Sequence, residues 1–373
     1  MNEHDIRFMQ HALELARQGV GAASPNPTVG CVIVQGEIHK GQIVGEGFHQ
    51  YDLRDHAEIA ALKSAAENTR GATAYVTLEP CNIIGRTGAC TQALIQAGIA
   101  RVVAATHDPN PKVAGRGFDT LRSANIMVDV GICEAEAQRL NHGFACWVRT
   151  RRPFVTMKSA LTLDGQLTLP KQGKSKQREW ITSEESRAEV QKLRHGSDAL
   201  LTGIGTILAD DPLLNDRSGL PRRRGLLRVI LDSALRLPVK SRIVKSADGD
   251  LLVFTAASLN SKKARGLQAA GVELLRVRAK RGFLDLRAVL HELGRREILN
   301  VLLEAGPRLS GSASSAQLVD RLFLFYAPRL GGHSKAPLAL GTVGQKLVFR
   351  EKTLREFGSD FAVDGLLHNY FDL

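Results

Sequence analysis

Short apolar runs of strand character alternate with stretches of helical period along this chain, and the alternation pauses once before it restarts. Residues 5–18 carry Ile6, Met9, Leu13 and Ala16 at helical spacing, with Gly19 placed to stop the helix. Residues 29–34 read as a buried strand, 56–68 as an Ala-rich helix and 72–78 as a β-rich run. A helix over 89–97, a strand at 101–106, a helix at 117–123 and a strand at 126–130 continue the series. Successive parallel strands need a crossover, usually a helix, so this pattern predicts α/β layers around a largely parallel sheet. At 148–153 the residues Arg149, Arg151, Arg152 and Pro153 form a polar, stiff junction. Beyond it, strand-like runs at 154–157, 199–202, 227–231, 251–255 and 301–303 alternate with helical stretches at 184–193, 261–270 and 285–293. Late strands are expected at 322–327 and 365–370. No internal repeat relates the halves, so two different domains are expected, 1–147 and 148–373.

With 373 residues, 43% of them hydrophobic, the chain can build two cores. No apolar run approaches the roughly 18 residues of a membrane span, and the opening Met1-Asn2-Glu3-His4-Asp5-Ile6-Arg7 lacks the apolar core of a signal peptide. The expectation is a soluble cytoplasmic protein with no membrane partner. Five cysteines, Cys31, Cys81, Cys90, Cys133 and Cys146, are too few and scattered for a disulfide framework, which leaves thiols and metal ligands. A formal charge of +12 attracts anions such as phosphate esters, dinucleotides and nucleic acids. The 5% aromatic content leaves few stacking platforms for single strands. Residues 171–178 are the most loop-like, charge-dense stretch and belong at the surface.

Chemistry concentrates in the first half. His56-Ala57-Glu58 is followed by Pro80-Cys81 and then Cys90. One imidazole and two thiolates give zinc three ligands and leave a fourth position for water, the pattern of a catalytic site. Zinc lowers the pKa of such a water to about 7. Glu58, two residues from the candidate ligand His56, would then shuttle the proton. A His-x-Glu by itself is a common helix start, and two cysteines after a strand are commonly packing residues. The joint pattern is more specific and matches the His-x-Glu and Pro-Cys signature of zinc nucleobase deaminases. That signature has two residues between its cysteines; here eight lie between Cys81 and Cys90, which argues against an RNA adenosine editor.

With these motifs stand Pro25-Asn26-Pro27, Val29-Gly30-Cys31-Val32-Ile33-Val34, Gly45-Glu46-Gly47-Phe48-His49, Thr77-Leu78-Glu79-Pro80-Cys81, Gly85-Arg86-Thr87 and Asp108-Pro109-Asn110-Pro111. On them the chain resembles the bifunctional riboflavin-biosynthesis enzymes, a pyrimidine deaminase fused to a reductase, over nearly its whole length. The resemblance implies a cytidine-deaminase-like three-layer domain with one Zn2+ on His56, Cys81 and Cys90, Glu58 as catalytic residue, and Asn26 and His49 toward the substrate. Several positions depart from the family: Asn82, Ile83 and Ile84 follow Cys81 where a histidine is usual, Gly88 and Ala89 replace two prolines, and Thr28 replaces Asn. Ile83 offers no hydrogen bond, so substrate grip is where this domain departs most.

In the second half no Gly-x-Gly-x-x-Gly follows a strand; Gly203-Ile204-Gly205 is a fragment. Residue pattern alone gives an α/β domain with anion-friendly loops. Lys158, Leu163-Asp164-Gly165, Trp180-Ile181-Thr182-Ser183, Leu208-Ala209-Asp210-Asp211-Pro212, Leu231-Asp232-Ser233 and Glu304-Ala305-Gly306-Pro307 resemble the family's reductase. That resemblance implies a dihydrofolate-reductase-like α/β fold using NADPH, with Ala160, Trp180, Thr206, Asp210 and Ser233 at the cofactor. The turn of Gly306, Pro307, Arg308, Leu309, Ser310, Gly311 and Ser312 would offer amides and hydroxyls to its pyrophosphate. Lys158, Arg194, Leu214, Arg217 and Glu304 would meet the substrate, the two arginines on its 5-phosphate and Lys158 on the ribose carbonyl. Arg222-Arg223-Arg224 is read as a solvated loop or as a contact to a 2′-phosphate. Between Asp164 and Trp180 the chain is longer than the family, with Arg178 where Ser is usual and Ser175 as a displaced equivalent, and Asn215 replaces Thr.

The implied reactions are deamination of 2,5-diamino-6-ribosylamino-4(3H)-pyrimidinone 5′-phosphate and reduction of the ribosyl group by NADPH. Two other readings stay open: a reductase whose deaminase pocket has drifted, motivated by Ile83 and Ile84, and a basic RNA-binding or RNA-editing protein. The long Cys81–Cys90 loop, the low aromatic content and the second domain weigh against nucleic acid. The family resemblance also implies a homo-oligomer.

Overall fold

The computed structural model describes residues 3–36, 41–83, 88–169, 179–280, 282–332 and 347–372. They form two compact units, one of Met1–Arg151 with Pro221–Arg224 and Tyr370–Leu373, the other of Arg152–Leu220 and Gly225–Asn369.

The first unit runs α1 (Glu3–Gln18), β1 (Gly30–Gln35), β2 (Gln42–Phe48), α2 (Ala57–Ala65), β3 (Thr73–Val76) and α3 (Cys90–Gln96). It continues with β4 (Arg101–Ala104), α4 (Arg116–Ser123), β5 (Met127–Val130) and α5 (Glu134–Thr150). The sheet order is β2-β1-β3-β4-β5. Side chains of a strand alternate between faces, and β1 uses both. Val32 and Val34 meet Phe8, Met9, Ala12 and Leu13 of α1, with Ala137 of α5 on the same side. Cys31 and Ile33 meet Ala57, Ala61 and Ala65 of α2 and, across that face, Leu94, Phe118 and Leu121 of α3 and α4. The result is three layers.

This sheet is mixed rather than largely parallel, since β1 pairs antiparallel with both β2 and β3 and only β3, β4 and β5 run parallel. Strand β2 was hidden in the sequence by Gly45 and Gly47, which dilute its apolar alternation. Both glycines are required by α2: a Cβ at Gly45 would stand 2.3 Å from the Ala61 carbonyl, and one at Gly47 2.7 Å from the Ala61 nitrogen. Helix α5 extends through residues 148–150, read as junction, and ends at Arg151 in the left-handed region (φ 59°). Its buried face includes Asn141, His142 and Gly143, so it lacks a clean apolar stripe.

The second unit begins with β6 (Phe154–Thr162), α6 (Glu184–His195), β7 (Ala199–Gly203), α7 (Ile204–Asp210), β8 (Leu227–Leu231), α8 (Arg242–Lys245) and β9 (Leu251–Thr255). Then come α9 (Lys262–Ala269), β10 (Glu273–Arg276), the two-residue strands β11 (Ala279–Lys280) and β12 (Phe283–Leu284), α10 (Leu286–Arg295) and β13 (Asn300–Leu303). Last are α11 (Pro307–Ser315), β14 (Arg321–Ala327), β15 (Glu351–Phe357) and β16 (Asp360–Leu366). Nine strands make one sheet in the order β10-β9-β8-β7-β13-β6-β14-β16-β15. It is parallel from β10 to β14 and antiparallel at β16 and β15.

The strand expected at 365–370 lies earlier, at β16, and is half of a hairpin with β15. Strand β15 is an edge whose residues 351–354 are all exposed, so no hydrophobic period announces it. Buried Asp320 pins the start of β6: its carboxylate accepts both forks of Arg152 at 2.7 Å, the Val155 amide at 2.8 Å and His368 at 3.0 Å. Burial would raise this carboxyl, but Arg152 and His368 together hold it below its ordinary value.

Candidate active sites

In the first unit, three segments converge at the carboxyl ends of parallel strands. Strand β3 leads through Leu78-Glu79-Pro80 to Cys81, Cys90 is the first residue of α3, and His56 is the N-cap of α2. His56 Nδ1 lies 3.2 Å from Cys90 Sγ and 3.5 Å from Cys81 Sγ, and the Cys90 amide donates to Cys81 Sγ at 3.5 Å. All three ligand atoms fall within 4.8 Å of one another. A tetrahedral zinc with ordinary Zn–N and Zn–S bonds separates an N and an S ligand by about 3.6 Å, so the donor set fits the ion. The hydrogen bond with Cys90 and then His56 hold the Cys81 thiol well below its ordinary value, which favours the thiolate a metal needs.

Glu58 follows on the first turn of α2 and is 4% exposed. Burial, with Cys81 adding to it, pushes its carboxyl up to about 7. Asn26 and His49 also meet here. His49 Nδ1 is 2.8 Å from the Asp55 carbonyl, and an oxygen that only accepts makes Nδ1 the donor. Nε2 is therefore the acceptor for Asn26 Nδ2 at 3.0 Å, and the arrangement fixes the tautomer and turns Asn26 Oδ1 away from His49. Burial keeps His49 below its ordinary value, and its ring stands edge-on to His56 with centroids 5.4 Å apart. Ile83 is 42% exposed, while Ile84 and Gly85-Arg86-Thr87 lie outside the described residues. The sequence gives no role to Asn82, whose Oδ1 is buried without a partner among the described residues, or to Asp108, whose buried carboxyl is pushed up to about 7.

In the second unit Lys158 on β6, Glu304 just past β13 and Arg194 on α6 form one charged group. Arg194 Nε and Nη2 donate to the two Glu304 oxygens at 2.7 and 3.0 Å, and Nη1 donates to the Asn215 carbonyl at 2.9 Å. Burial depresses Lys158, partly offset by Glu304; Glu304 itself is held below its ordinary value by Arg194 and Lys158 against the effect of burial. Arg194 is buried and paired with Glu304, while Arg217 is exposed and faces solvent. Leu214, buried, sits in the left-handed region at φ 55°. The carbonyls on either side of it are held, Asn215 by Arg194 and Leu213 by the buried Arg228 at 3.1 Å. Nothing in the sequence marked Arg228.

The expected cofactor residues lie at the carboxyl ends of the parallel strands, where open α/β sheets bind ligands. Ala160 is on β6, Thr206 and Asp210 are on α7 after β7, and Ser233 follows β8. Helix α11 follows β13 with Gly306 as N-cap and Pro307 at its first turn, and a Cβ on Gly203 would touch Leu309 at 3.6 Å, so the starts of α7 and α11 adjoin. The hydroxyls expected to face a pyrophosphate are otherwise used: Ser310 donates to the Ala305 carbonyl at 3.3 Å and Ser312 to that of Arg308 at 2.8 Å. Among the described hydrogen bonds the Ser310 amide is also spent, on the Gly306 carbonyl, whereas the amides of Arg308 and Leu309 remain for an anion. Gly311 lies one turn inside the helix. Trp180 is 65% exposed beside Arg187. Residues 171–178, with Ser175 and Arg178, lie outside the described residues. Arg223 groups with the first unit, where it pairs with Asp52 at 2.8 Å and stacks on Tyr51, so its guanidinium is half-buried.

The family described as the cytidine and deoxycytidylate deaminase zinc-binding region matches residues 2–106, and the RibD C-terminal domain matches 153–363. The riboflavin biosynthesis protein RibD of Aquifex aeolicus is 40% identical over 366 residues, covering 97% of this chain and 98% of its own. That of Escherichia coli is 40% identical over 371 residues, covering 95% and 97%. The solved structure of Acinetobacter baumannii RibD is similar with a TM-score of 0.81 at 37% identity, over 98% of this chain and 99% of that one. A Thermotoga maritima diaminohydroxyphosphoribosylaminopyrimidine deaminase/5-amino-6-(5-phosphoribosylamino)uracil reductase also scores 0.81, at 33% identity over 98% and 99%.

Proposed function

This chain belongs to the family of the riboflavin biosynthesis protein RibD, and from that premise we propose how its own residues divide the family's two reactions. It is a zinc deaminase joined to an NADPH-dependent reductase. The first reaction removes an amino group, as ammonia, from 2,5-diamino-6-ribosylamino-4(3H)-pyrimidinone 5′-phosphate; the second converts the ribosyl to a ribityl group. We assign deamination to the first compact unit and reduction to the second.

His56, Cys81 and Cys90 would hold the zinc, which when bound supplies an acidified water at its fourth position. Glu58 would take one proton from the attacking water for the ring nitrogen and then carry the second, from the new hydroxyl, to the departing amino nitrogen, so both protons of the water are placed, one on the ring and one in ammonia. Neutral His49 keeps Asn26 oriented, leaving the amide oxygen to accept a hydrogen bond from the pyrimidine. The single observation that carries this reading is the His56–Cys81–Cys90 cluster with buried Glu58 two residues from its imidazole.

In the reductase, NADPH supplies the hydride, and the protein supplies orientation and charge. The amides of Arg308 and Leu309 would cap the pyrophosphate. Lys158 would donate to the ribose carbonyl oxygen as it becomes a hydroxyl, with Glu304 holding the ammonium in place. Arg217 would meet the 5-phosphate, and Arg194 would set Glu304 and the Leu214 loop. On the family resemblance we further propose a cytoplasmic homo-oligomer; among the described residues no helix is long and apolar enough to cross a membrane. Ile83, a side chain without hydrogen-bonding atoms beside the zinc ligands, favours a second reading, a reductase alone.

Chelation separates these. Stripping zinc from the full chain is expected to abolish ammonia release, to spare NADPH oxidation on pre-deaminated substrate, and to be reversed by added zinc. Ammonia release that survives chelation would overturn the assignment, and zinc-replete protein that releases none would establish the reductase-only reading.

A further inference from the structure

We propose that Glu79 is a positioning residue of the deaminase, tying the loop after β4 to the Pro80-Cys81 turn and so holding a metal ligand and the neighbouring pocket wall together. The proposal rests on the deaminase reading above. Glu79 lies two residues before Cys81 and is 3% exposed. Its own amide donates to the Thr106 carbonyl at 3.0 Å. Its carboxylate accepts three backbone N–H groups from the loop after β4 and the first turn of α4: Asp108 at 3.1 Å and Gly115 at 3.0 Å on Oε2, and Gly117 at 2.9 Å on Oε1. His107 Nδ1 stands 3.9 Å from Oε2. Converging backbone amides of this kind make an anion site, and here the anion is a side chain of the protein itself.

Three further facts connect the clamp to the metal site. Strands β3 and β4 are parallel neighbours, so the segments leading to Cys81 and to Asp108 leave the sheet at the same end. The start of α4, where this loop ends, is seated directly on the ligand segment: a Cβ at Gly117 would stand 2.2 Å from the Pro80 carbonyl. The Cys81 carbonyl in turn accepts the Thr91 amide at 3.2 Å, which links the same turn to the helix that carries Cys90. With its oxygens occupied by amides, Glu79 acts through Cys81 and the loop and does not touch substrate. Glutamine cannot replace it, because turning an –NH2 toward either oxygen's position confronts at least one N–H with another donor. Aspartate keeps two acceptor oxygens on a shorter arm.

The test uses the full, zinc-loaded chain as Glu79→Gln and Glu79→Asp, with zinc per chain, kcat and KM of ammonia release, and NADPH oxidation on pre-deaminated substrate. Glu79→Gln is expected to keep reduction within twofold and to lose at least tenfold in kcat/KM for ammonia release, with Glu79→Asp recovering part of that loss. Ammonia kinetics in Glu79→Gln equal to those of an active parent would overturn the proposal alone. A parent that releases no ammonia would overturn the deaminase reading itself. If Glu79→Gln does not fold, Gly115→Ala replaces it: this residue sits at φ +79° with open space at its Cβ, so the substitution strains the backbone that donates to Glu79 while leaving the Glu79 side chain unchanged. It is expected to raise the KM for ammonia release severalfold, and an unchanged KM would overturn the proposal.

Discussion

The reacting groups of the first unit come from a short stretch of chain, with His56 and Cys90 only 34 residues apart, whereas Arg194 and Glu304 in the second unit meet across 110. The contrast follows from what each chemistry needs. A zinc site requires particular atoms, an imidazole nitrogen and two sulfurs, at one point in space, and few residues supply them. A dinucleotide site on a parallel sheet is built largely from backbone amides at helix starts, which every residue but proline carries. The first site is written in residue types and the second in topology.

Substitutions sharpen this contrast by removing one chemistry at a time. Glu58→Gln carries the largest expected effect, a fall in ammonia release of roughly 10²- to 10⁴-fold as general acid–base catalysis is lost. Reduction of pre-deaminated substrate by the same protein should stay within twofold, read from NADPH absorbance. Lys158→Met should do the opposite, lowering reduction by about 10²- to 10³-fold, the range for loss of one donor to a developing oxyanion. Next comes Arg217→Ala, which should raise the reductase KM for substrate by roughly 10- to 100-fold with a smaller change in kcat, as expected for one charge-assisted bond to phosphate.

The last effect falls on the framework and leaves both chemistries alone. Removing one partner of a buried ion pair costs about 3–5 kcal/mol, so Asp320→Asn should lower the melting temperature of the second unit by on the order of 10 °C. The sign of its pH dependence follows from the depressed carboxyl. Asp320 contributes its stability fully above the ordinary carboxyl value of 3.8, and the contribution is lost as pH falls through that value toward the lower folded one. Parent and Asp320→Asn melting curves should therefore converge in acid and stand furthest apart near neutrality. Parallel curves over that range would remove Asp320 as the pin of β6.

Much of the first site was legible. His56, Glu58, Cys81 and Cys90 announce themselves by type and spacing, and Asn26 and His49 stood in recognisable motifs. Glu79 stood in the motif of Cys81 with no role to read, because a glutamate before Pro-Cys resembles a spacer until the fold delivers three amides to it. The overall α/β character was equally clear, but not the direction of every strand. Pairing of β2 is set by how closely α2 approaches two glycines, and β15 is an exposed edge, so neither leaves a hydrophobic period to read.

The second site was legible only through resemblance, because its side chains meet across long stretches of chain. Arg194, read as a phosphate contact, is also a buried partner of Glu304, a pairing no local spacing encodes. Ser310 and Ser312 are read as ligand contacts, and in the structure the Ser310 hydroxyl donates to the Ala305 carbonyl just before the helix and that of Ser312 to the Arg308 carbonyl one turn back. The left-handed turn at Leu214 depends on two arginines, Arg194 and Arg228, from different elements of the unit.

The central claim is that one chain carries two separable chemistries. Its most direct test follows ammonia release and NADPH oxidation separately in zinc-replete parent, Glu58→Gln and Lys158→Met, each given both the diaminopyrimidine phosphate and its deaminated product. The expected result is that Glu58→Gln oxidises NADPH only with the deaminated product while Lys158→Met releases ammonia without oxidising NADPH. Loss of both reactions in either variant, or of neither in both, would contradict the claim.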